Sequence, residues 1–146
     1  MVPSDNTVDV LSNDLGLVAV FDDEGRGDEL LGYNFMLGGG QGMTHNNART
    51  FPRLATPVAF VPAGDLLRGV EAVIRLQRDH GDRTNRRRAR LKYVVADRGE
   101  EWVAATLAEY YGGPMEPVRA VAPLRVPELL GSVSYTHLTL PTKRIV

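Results

Sequence analysis

Six cations crowd into thirteen positions of this 146-residue chain: Arg83, Arg86, Arg87, Arg88, Arg90 and Lys92, in the stretch 81–93. Thr84 and Asn85 add hydrogen-bonding groups among them. The sequence turns apolar at once, with Tyr93, Val94, Val95 and Ala96, so the cations lead into a packed element. A guanidinium offers a flat donor fork that matches carboxylates and oxyanions; an ammonium adds a compact point charge. A dense set of both, partly buried, suits a polyanion. On the residues alone three readings stay open. The arginines could form a solvated helix face paired with Asp79, Asp82 and Asp97. They could contact nucleic acid, as a non-enzymatic anion- or RNA-binding module built on Arg86, Arg87, Arg88 and Arg90. Or they could hold a small oxyanion or a multiply carboxylated cofactor.

Charge balance weighs against nucleic acid. The formal net charge is −1, with 17 Lys and Arg against 18 Asp and Glu, whereas a nucleic-acid footprint usually carries a basic excess. Such modules also interleave exposed aromatics with their cations, and only Tyr93 is near. The hydrophobic fraction of 43% and charged fraction of 24% suit a globular domain with a real core. No run approaches the roughly 20 apolar residues of a membrane span. The residues 1–6 lack the apolar core of a signal peptide. The expectation is a cytoplasmic protein with no membrane or nucleic-acid partner. Cysteine is absent, so this chain supplies no thiolate nucleophile and no thiolate ligand for an iron–sulfur cluster. His45, His80 and His137 stand at no metal-ligand spacing, and no metal site is expected.

The elements that must position the cations can be read in order. Turn residues Asn13, Asp14 and Gly16 precede a short β-rich run at 17–21. A polar loop, 22–29, joins it to a returning strand at 30–37, which predicts an antiparallel pair. Gly38, Gly39, Gly40 and Gly42 then allow positive φ and close backbone approach; no Gly-Lys-Ser/Thr follows, so this is not a nucleotide phosphate loop. Phe51-Pro52-Arg53 and Thr56-Pro57 are expected to break regular structure. Val61-Pro62 should open a helix over 63–80, with Asp65 at its start and Leu66, Leu67, Val70, Val73, Ile74 and Gln77 as its apolar stripe. Gly81 is its expected cap. Asn85 could cap a further helix to about residue 97. On a regular helix, however, Arg90 and Lys92 would point about 200° apart; if both grip one anion, either the backbone is irregular there or the long side chains curl round. Another helix begins at Gly99-Glu100-Glu101, with Trp102, Ala105, Leu107, Ala108 and Tyr111 as candidate core, and ends at Gly112-Gly113-Pro114. Prolines 117, 123 and 127 predict irregular chain over 116–130. The final stretch, 132–146, reads like a translated sequencing-library adapter and is expected to be a non-native tail that does not pack.

Four ordered blocks carry a resemblance: Val8-Asp9-Val10 through Asn13-Asp14-Leu15-Gly16; Gly38-Gly39-Gly40-Gln41-Gly42-Met43-Thr44-His45-Asn46; Phe51-Pro52-Arg53-Leu54-Ala55; and Gly81 to Tyr93. Together they resemble the sirohaem-dependent sulfite and nitrite reductases, from about Asn6 to Gly112. The resemblance favours the anion-site reading. It implies an α+β fold, with an antiparallel strand pair packed by helices, as a partial reductase domain over 1–131. It implies a six-electron reduction of sulfite, or alternatively of nitrite, at sirohaem coupled to a four-iron four-sulfur cluster. The electron donor would be ferredoxin or an NADPH flavoprotein. Arg90 and Lys92 align with the family's substrate-facing basic pair, and the other two active-site arginines lie outside this chain. Arg86, Thr44, His45 and Asn46 fall on the cofactor side. Nitrite-reducing relatives often carry an amide at the second position of the pair, so Lys92 points to sulfite. The cluster's cysteines would lie beyond the matched region. The chain is therefore expected to be a fragment that holds neither cofactor alone and is inactive alone.

Overall fold

The computed structural model describes residues 6–22 and 29–121. The expected foreign tail and the tip of the first hairpin lie outside them. Strands β1 (Leu15–Phe21) and β2 (Leu30–Leu37) form the expected antiparallel pair, with Leu15 opposite Leu37 and Phe21 opposite Leu30. A third strand, β3 (Thr56–Pro62), pairs antiparallel with β2 and completes a sheet of order β1-β2-β3. This corrects two expectations: Thr56-Pro57 does not break the chain, and Val61-Pro62 closes a strand before the helix begins. Proline is tolerated there for a physical reason. β3 is an edge strand, and Pro57 faces Met36 where the register slips, so no ladder N–H is required of it. The apolar run Val58, Ala59, Phe60 and Val61 was the signal.

A 3-10 turn at Ala63–Asp65 leads into helix α1 (Leu66–His80). The buried face is Gly69, Ala72, Val73 and Leu76. Leu67 and Ile74, expected in the stripe, are 83% and 61% exposed. The cause is close packing. A Cβ on Gly69 would lie 2.9 Å from the Phe35 ring and 3.2 Å from Val61, so the helix approaches the sheet through its smallest residues and turns larger ones outward. Gly81 does follow α1, with its N–H bonded to the Gln77 carbonyl, but its backbone is extended at φ −71° and ψ 141°.

The arginine stretch is not one helix. A 3-10 turn at Arg86–Arg88 is followed by helix α2 (Leu91–Arg98), and then by α3 (Glu100–Tyr111). In α3 the buried residues are Val103, Thr106, Leu107 and Tyr111; Trp102 and Ala108 are half-buried and Ala105 is exposed. Gly112, at φ 86°, ends α3 with its N–H shared between the Ala108 and Glu109 carbonyls, the left-handed closure glycine permits. The Tyr111 hydroxyl donates to Asp65 at 2.8 Å, tying the end of α3 to the start of α1. Burial and that bond together raise the Tyr111 hydroxyl pKa. The core lies between the sheet and the three helices, around Phe35, Leu37, Leu76, Leu91, Val103 and Leu107. The irregular chain after α3 is stitched to the sheet: Phe60 N–H donates to the Glu116 carbonyl, and the buried Asn34 amide exchanges two hydrogen bonds with the Arg119 backbone. Among the described residues no helix is long and apolar enough to cross a membrane.

Candidate anion site at the glycine loop

β2 runs straight into the glycine loop, and its glycines are required by contacts. Gly38 has φ +74°, and a Cβ there would fall 2.6 Å from a Val95 methyl on α2. The loop is held from three sides. Gly38 and Gly39 N–H groups donate to the Asp14 and Asn13 carbonyls at 2.9 and 3.0 Å. Gly40 exchanges two backbone bonds with Arg53, at 2.7 and 3.0 Å. The Arg53 guanidinium then donates to the Gly38 carbonyl at 3.1 Å, the Leu54 carbonyl at 2.9 Å and the Thr56 hydroxyl at 2.6 Å. It also pairs with Glu100, at the start of α3, at 3.2 Å. Sequence reasoning assigned Arg53 no role. Its signal was an isolated arginine in a stretch of Pro, Leu and Ala with no acid nearby, which leaves distant carbonyls as its partners.

The other side of the loop is α2. Asp82 begins the approach: its Oδ1 accepts from Thr84 N–H, the Thr84 hydroxyl and Asn85 N–H at 2.8–2.9 Å. The Asn85 N–H first, then the Thr84 hydroxyl, hold its carboxyl below the ordinary carboxylate value. Asn85 Oδ1 accepts from Arg87 N–H at 3.2 Å and caps the 3-10 turn. Arg90 is extended, with φ −75° and ψ 150°, just before α2 begins. That break resolves the spacing problem: Arg90 and Lys92 both reach the glycine loop. Arg90 donates from Nε and Nη2 to the Asp14 carboxylate at 2.9–3.2 Å, and from Nη2 to the Gly39 carbonyl at 3.2 Å. The guanidinium lies against Gly40, where a Cβ would meet Nη1 at 2.6 Å. Lys92 is 0% exposed. Its Nζ donates to the Gly42 carbonyl at 2.6 Å and the Gly40 carbonyl at 3.1 Å. A Cβ on Gly42 would touch nothing within 4 Å, so the loop is open above that carbonyl.

The remaining cations separate into paired and unpaired. Arg88 bonds both oxygens of Asp97 at 2.7 and 2.8 Å and lies over the Tyr93 ring. Arg86 and Arg87 are exposed and have no partner among the described residues. Of the three acids expected to neutralise this stretch, only Asp97 does so. Asp79 pairs with Arg78, and Asp82 is spent on the backbone. Thr44 is half-buried, its N–H bonded to the Thr50 hydroxyl at 2.8 Å, while His45 and Asn46 are exposed and Asn46 is left-handed at φ 55°. This turn lies beside the arginine turn: Phe51 packs edge-on against Tyr93, and Arg88 Nη1 reaches the Arg49 carbonyl at 3.5 Å. Arg90 and Lys92 are thus brought together, and Arg86 stands on a neighbouring turn without touching Thr44, His45 or Asn46. Tyr93 is 4% exposed. It offers no face on which a base could stack, which removes the aromatic contact an RNA-binding module would use.

Residues 1–115 match the family described as the nitrite and sulphite reductase 4Fe-4S domain. The ferredoxin sulfite reductase of Synechococcus elongatus is 45% identical over 130 residues, 89% of this chain and 20% of the relative. The NADPH sulfite reductase hemoprotein beta-component of Myxococcus xanthus is 47% identical, covering 83% of this chain and 21% of the relative. The NADPH sulfite reductase beta subunit of Saccharomyces cerevisiae is 48% identical over 81% of this chain and 8% of the relative. Among solved structures, the NirA protein of Mycobacterium tuberculosis superposes with a TM-score of 0.64 at 31% identity, over 79% of this chain and 19% of NirA. The chain spans about a fifth or less of the length of these relatives. A match over residues 1–115, carried through an α+β fold of three antiparallel strands and packed helices, establishes that this chain belongs to the nitrite and sulphite reductase 4Fe-4S domain family.

Proposed function

We propose that this chain is part of an assimilatory sulfite reductase and contributes the basic edge of its substrate site. The observation that carries the reading is the convergence of Arg90 and Lys92 on one glycine loop from a break before α2. Sulfite is a small oxyanion, and a cofactor rich in carboxylates repels it unless fixed cations stand beside it. Arg90 supplies a fork that stays protonated. Lys92 supplies a point charge and protons for the oxygens that leave as sulfite becomes sulfide. Two of its three N–H groups are committed to carbonyls, which leaves the third without a hydrogen-bond partner among the described residues.

Two cofactors follow from the family, and the residues present fit one of them. Sirohaem carboxylates need several donors. Arg86 is an exposed guanidinium group without a partner among the described residues, and Thr44, His45 and Asn46 form a polar turn on the neighbouring loop. Arg86 with that turn would hold carboxylates at the cofactor's edge. When bound, sirohaem supplies electrons to the substrate; the chain orients the anion and delivers protons. The four-iron four-sulfur cluster does not fit this chain, which contains no cysteine, and its ligands belong to the rest of the enzyme. The named relatives carry ferredoxin or NADPH in their names, and the electron donor this reading expects is ferredoxin or an NADPH flavoprotein. The cytoplasm is the compartment this reading expects.

The test is made in a complete enzyme containing this segment. Lys92→Met keeps the stem and removes the charge and protons, and Arg87→Met is the control on the solvated turn. Losing a charge-assisted contact to a bound anion costs about 1.5–3 kcal/mol, so sulfite turnover per bound sirohaem should fall at least about tenfold in Lys92→Met. Arg87→Met should match the wild type. Wild-type turnover in Lys92→Met, or greater damage in Arg87→Met, would overturn the assignment.

A further inference from the structure

Arg90 already holds an oxyanion of its own: the carboxylate of Asp14, seated on Nε and Nη2 at 2.9–3.2 Å. Two oxygens on one guanidinium edge is the same arrangement that two oxygens of sulfite or sulfate would adopt. The pair joins residues 76 apart in sequence, so it is a feature of the fold. It is also open to water, with the Arg90 and Asp14 side chains 43% and 46% exposed. An ion pair that exposed contributes little to stability and can be exchanged for another anion at small cost. The contrast with Lys92 is direct, since that ammonium is sealed and its acceptors are backbone carbonyls that cannot leave.

Asp14 is placed for this role independently of its side chain. Its carbonyl accepts from Gly38 N–H at 2.9 Å, which ties it to the base of the glycine loop whether or not the carboxylate is engaged. Asp14, Arg90 and Arg83 also line one cavity of about 590 Å³. There is room beside the pair for an arriving anion, and a second, exposed guanidinium on the same cavity to draw it in.

We propose that Asp14 is a built-in competitor for the Arg90 fork and thereby sets how tightly the site holds an anion. An anion reaches the fork only by displacing the carboxylate. A doubly charged oxyanion does this more readily than a singly charged one, because its attraction to Arg90 is greater. The inference rests on the reading above, in which Arg90 receives substrate.

Sulfate and nitrite serve as dianionic and monoanionic probes, titrated into the 146-residue chain while the Arg90 Nε–H resonance is followed by NMR. Asp14→Asn removes the competing charge and keeps the backbone bond to Gly38. It should bind sulfate up to about fivefold more tightly than the wild type, the scale of an exposed pair. Nitrite should gain by a similar or smaller factor, because the carboxylate repels a monoanion less than a dianion. The gain should disappear in the double variant Asp14→Asn, Arg90→Met. Unchanged or weaker sulfate binding in Asp14→Asn overturns the proposal, as does a gain that survives the loss of Arg90. Asp14→Ser, titrated identically, decides the matter if the asparagine variant does not fold. The underlying reading is tested separately: Arg90→Met in the complete enzyme with an unchanged KM for sulfite would refute it, whatever the titrations give.

Discussion

Lys92 and the arginine turn stand a few residues apart and solve opposite problems. Lys92 is sealed, with its charge answered by the carbonyls of Gly40 and Gly42. Arg86 and Arg87 are open and unanswered among the described residues. A buried ammonium without acceptors would be prohibitive, so the glycine loop is shaped to bring two carbonyls onto it. An exposed guanidinium costs almost nothing and can wait for a ligand. Arg90 lies between these extremes, half-exposed and provisionally paired. The lesson is that a run of like charges is not one functional unit. Burial divides it into a part that builds the site and a part that the site presents.

The strongest way to break this division is by truncation. Lys92→Ala empties a fully buried four-carbon stem and strips the Gly42 carbonyl of its donor. The cost should be about 3 kcal/mol, in the range of large-to-small core substitutions. Arg87→Ala, on the open side, should stay within about 0.5 kcal/mol. Urea unfolding of the two variants measures both. Equal losses would mean that the turn is as structural as the loop.

A second comparison lies within the loop. Gly38→Ala puts a Cβ 2.6 Å from Val95 on a backbone at φ +74°, and should cost about 1–3 kcal/mol in strain. Gly42→Ala meets nothing within 4 Å and should be close to neutral. The same unfolding experiment ranks them. If Gly42→Ala is as damaging as Gly38→Ala, the loop is as tightly packed at Gly42 as at Gly38 and the contrast within it fails.

Much of this was legible in the sequence, and the failures share a cause. The β1–β2 pair, α1, α3 and the glycine loop follow from local periodicity and turn residues. An irregular backbone at Arg90 was one of two ways the spacing left for Arg90 and Lys92 to face one anion, the other being long side chains that curl round; the extended Arg90 before α2 is the first. β3 was missed because proline at 57 reads as a breaker, and only the edge position and the register slip at Met36 make it harmless. The outward turn of Leu67 and Ile74 was missed because the smallness of Gly69 and Ala72, which sets the helix against the sheet, carries no apolar signal. Arg53 and Asp14 were missed as clamp and counter-ion because their partners are remote: Gly38 and Glu100 for one, Arg90 for the other. Long-range pairing between ordinary residues leaves no local pattern.

Acid separates the two regions with the smallest perturbation. Contacts on the open side depend on carboxylates, whereas the Lys92 contacts depend on carbonyls that do not titrate. Asp82 is the informative group, because its carboxyl is held below the ordinary value of 3.8 by the N–H of Asn85 and then by the Thr84 hydroxyl. The sign follows from linkage. A carboxyl with a depressed folded-state value binds protons less tightly than in the unfolded chain. Its contribution is therefore complete above pH 3.8 and is lost as pH falls through the lower folded value. Asp79 shares the direction, held down by Arg78 and then by the Tyr110 hydroxyl. On titration from neutral pH, the amide resonances of Thr84 and Asn85 should move together with a midpoint below 3.8, as the turn before Arg86 loosens. The Arg53 amide, bonded to the Gly40 carbonyl at 3.0 Å, should hold its position over the same range. If the Arg53 amide moves in step with Thr84 and Asn85, the glycine loop and the arginine turn respond as one unit, and the division between a sealed and an open half fails.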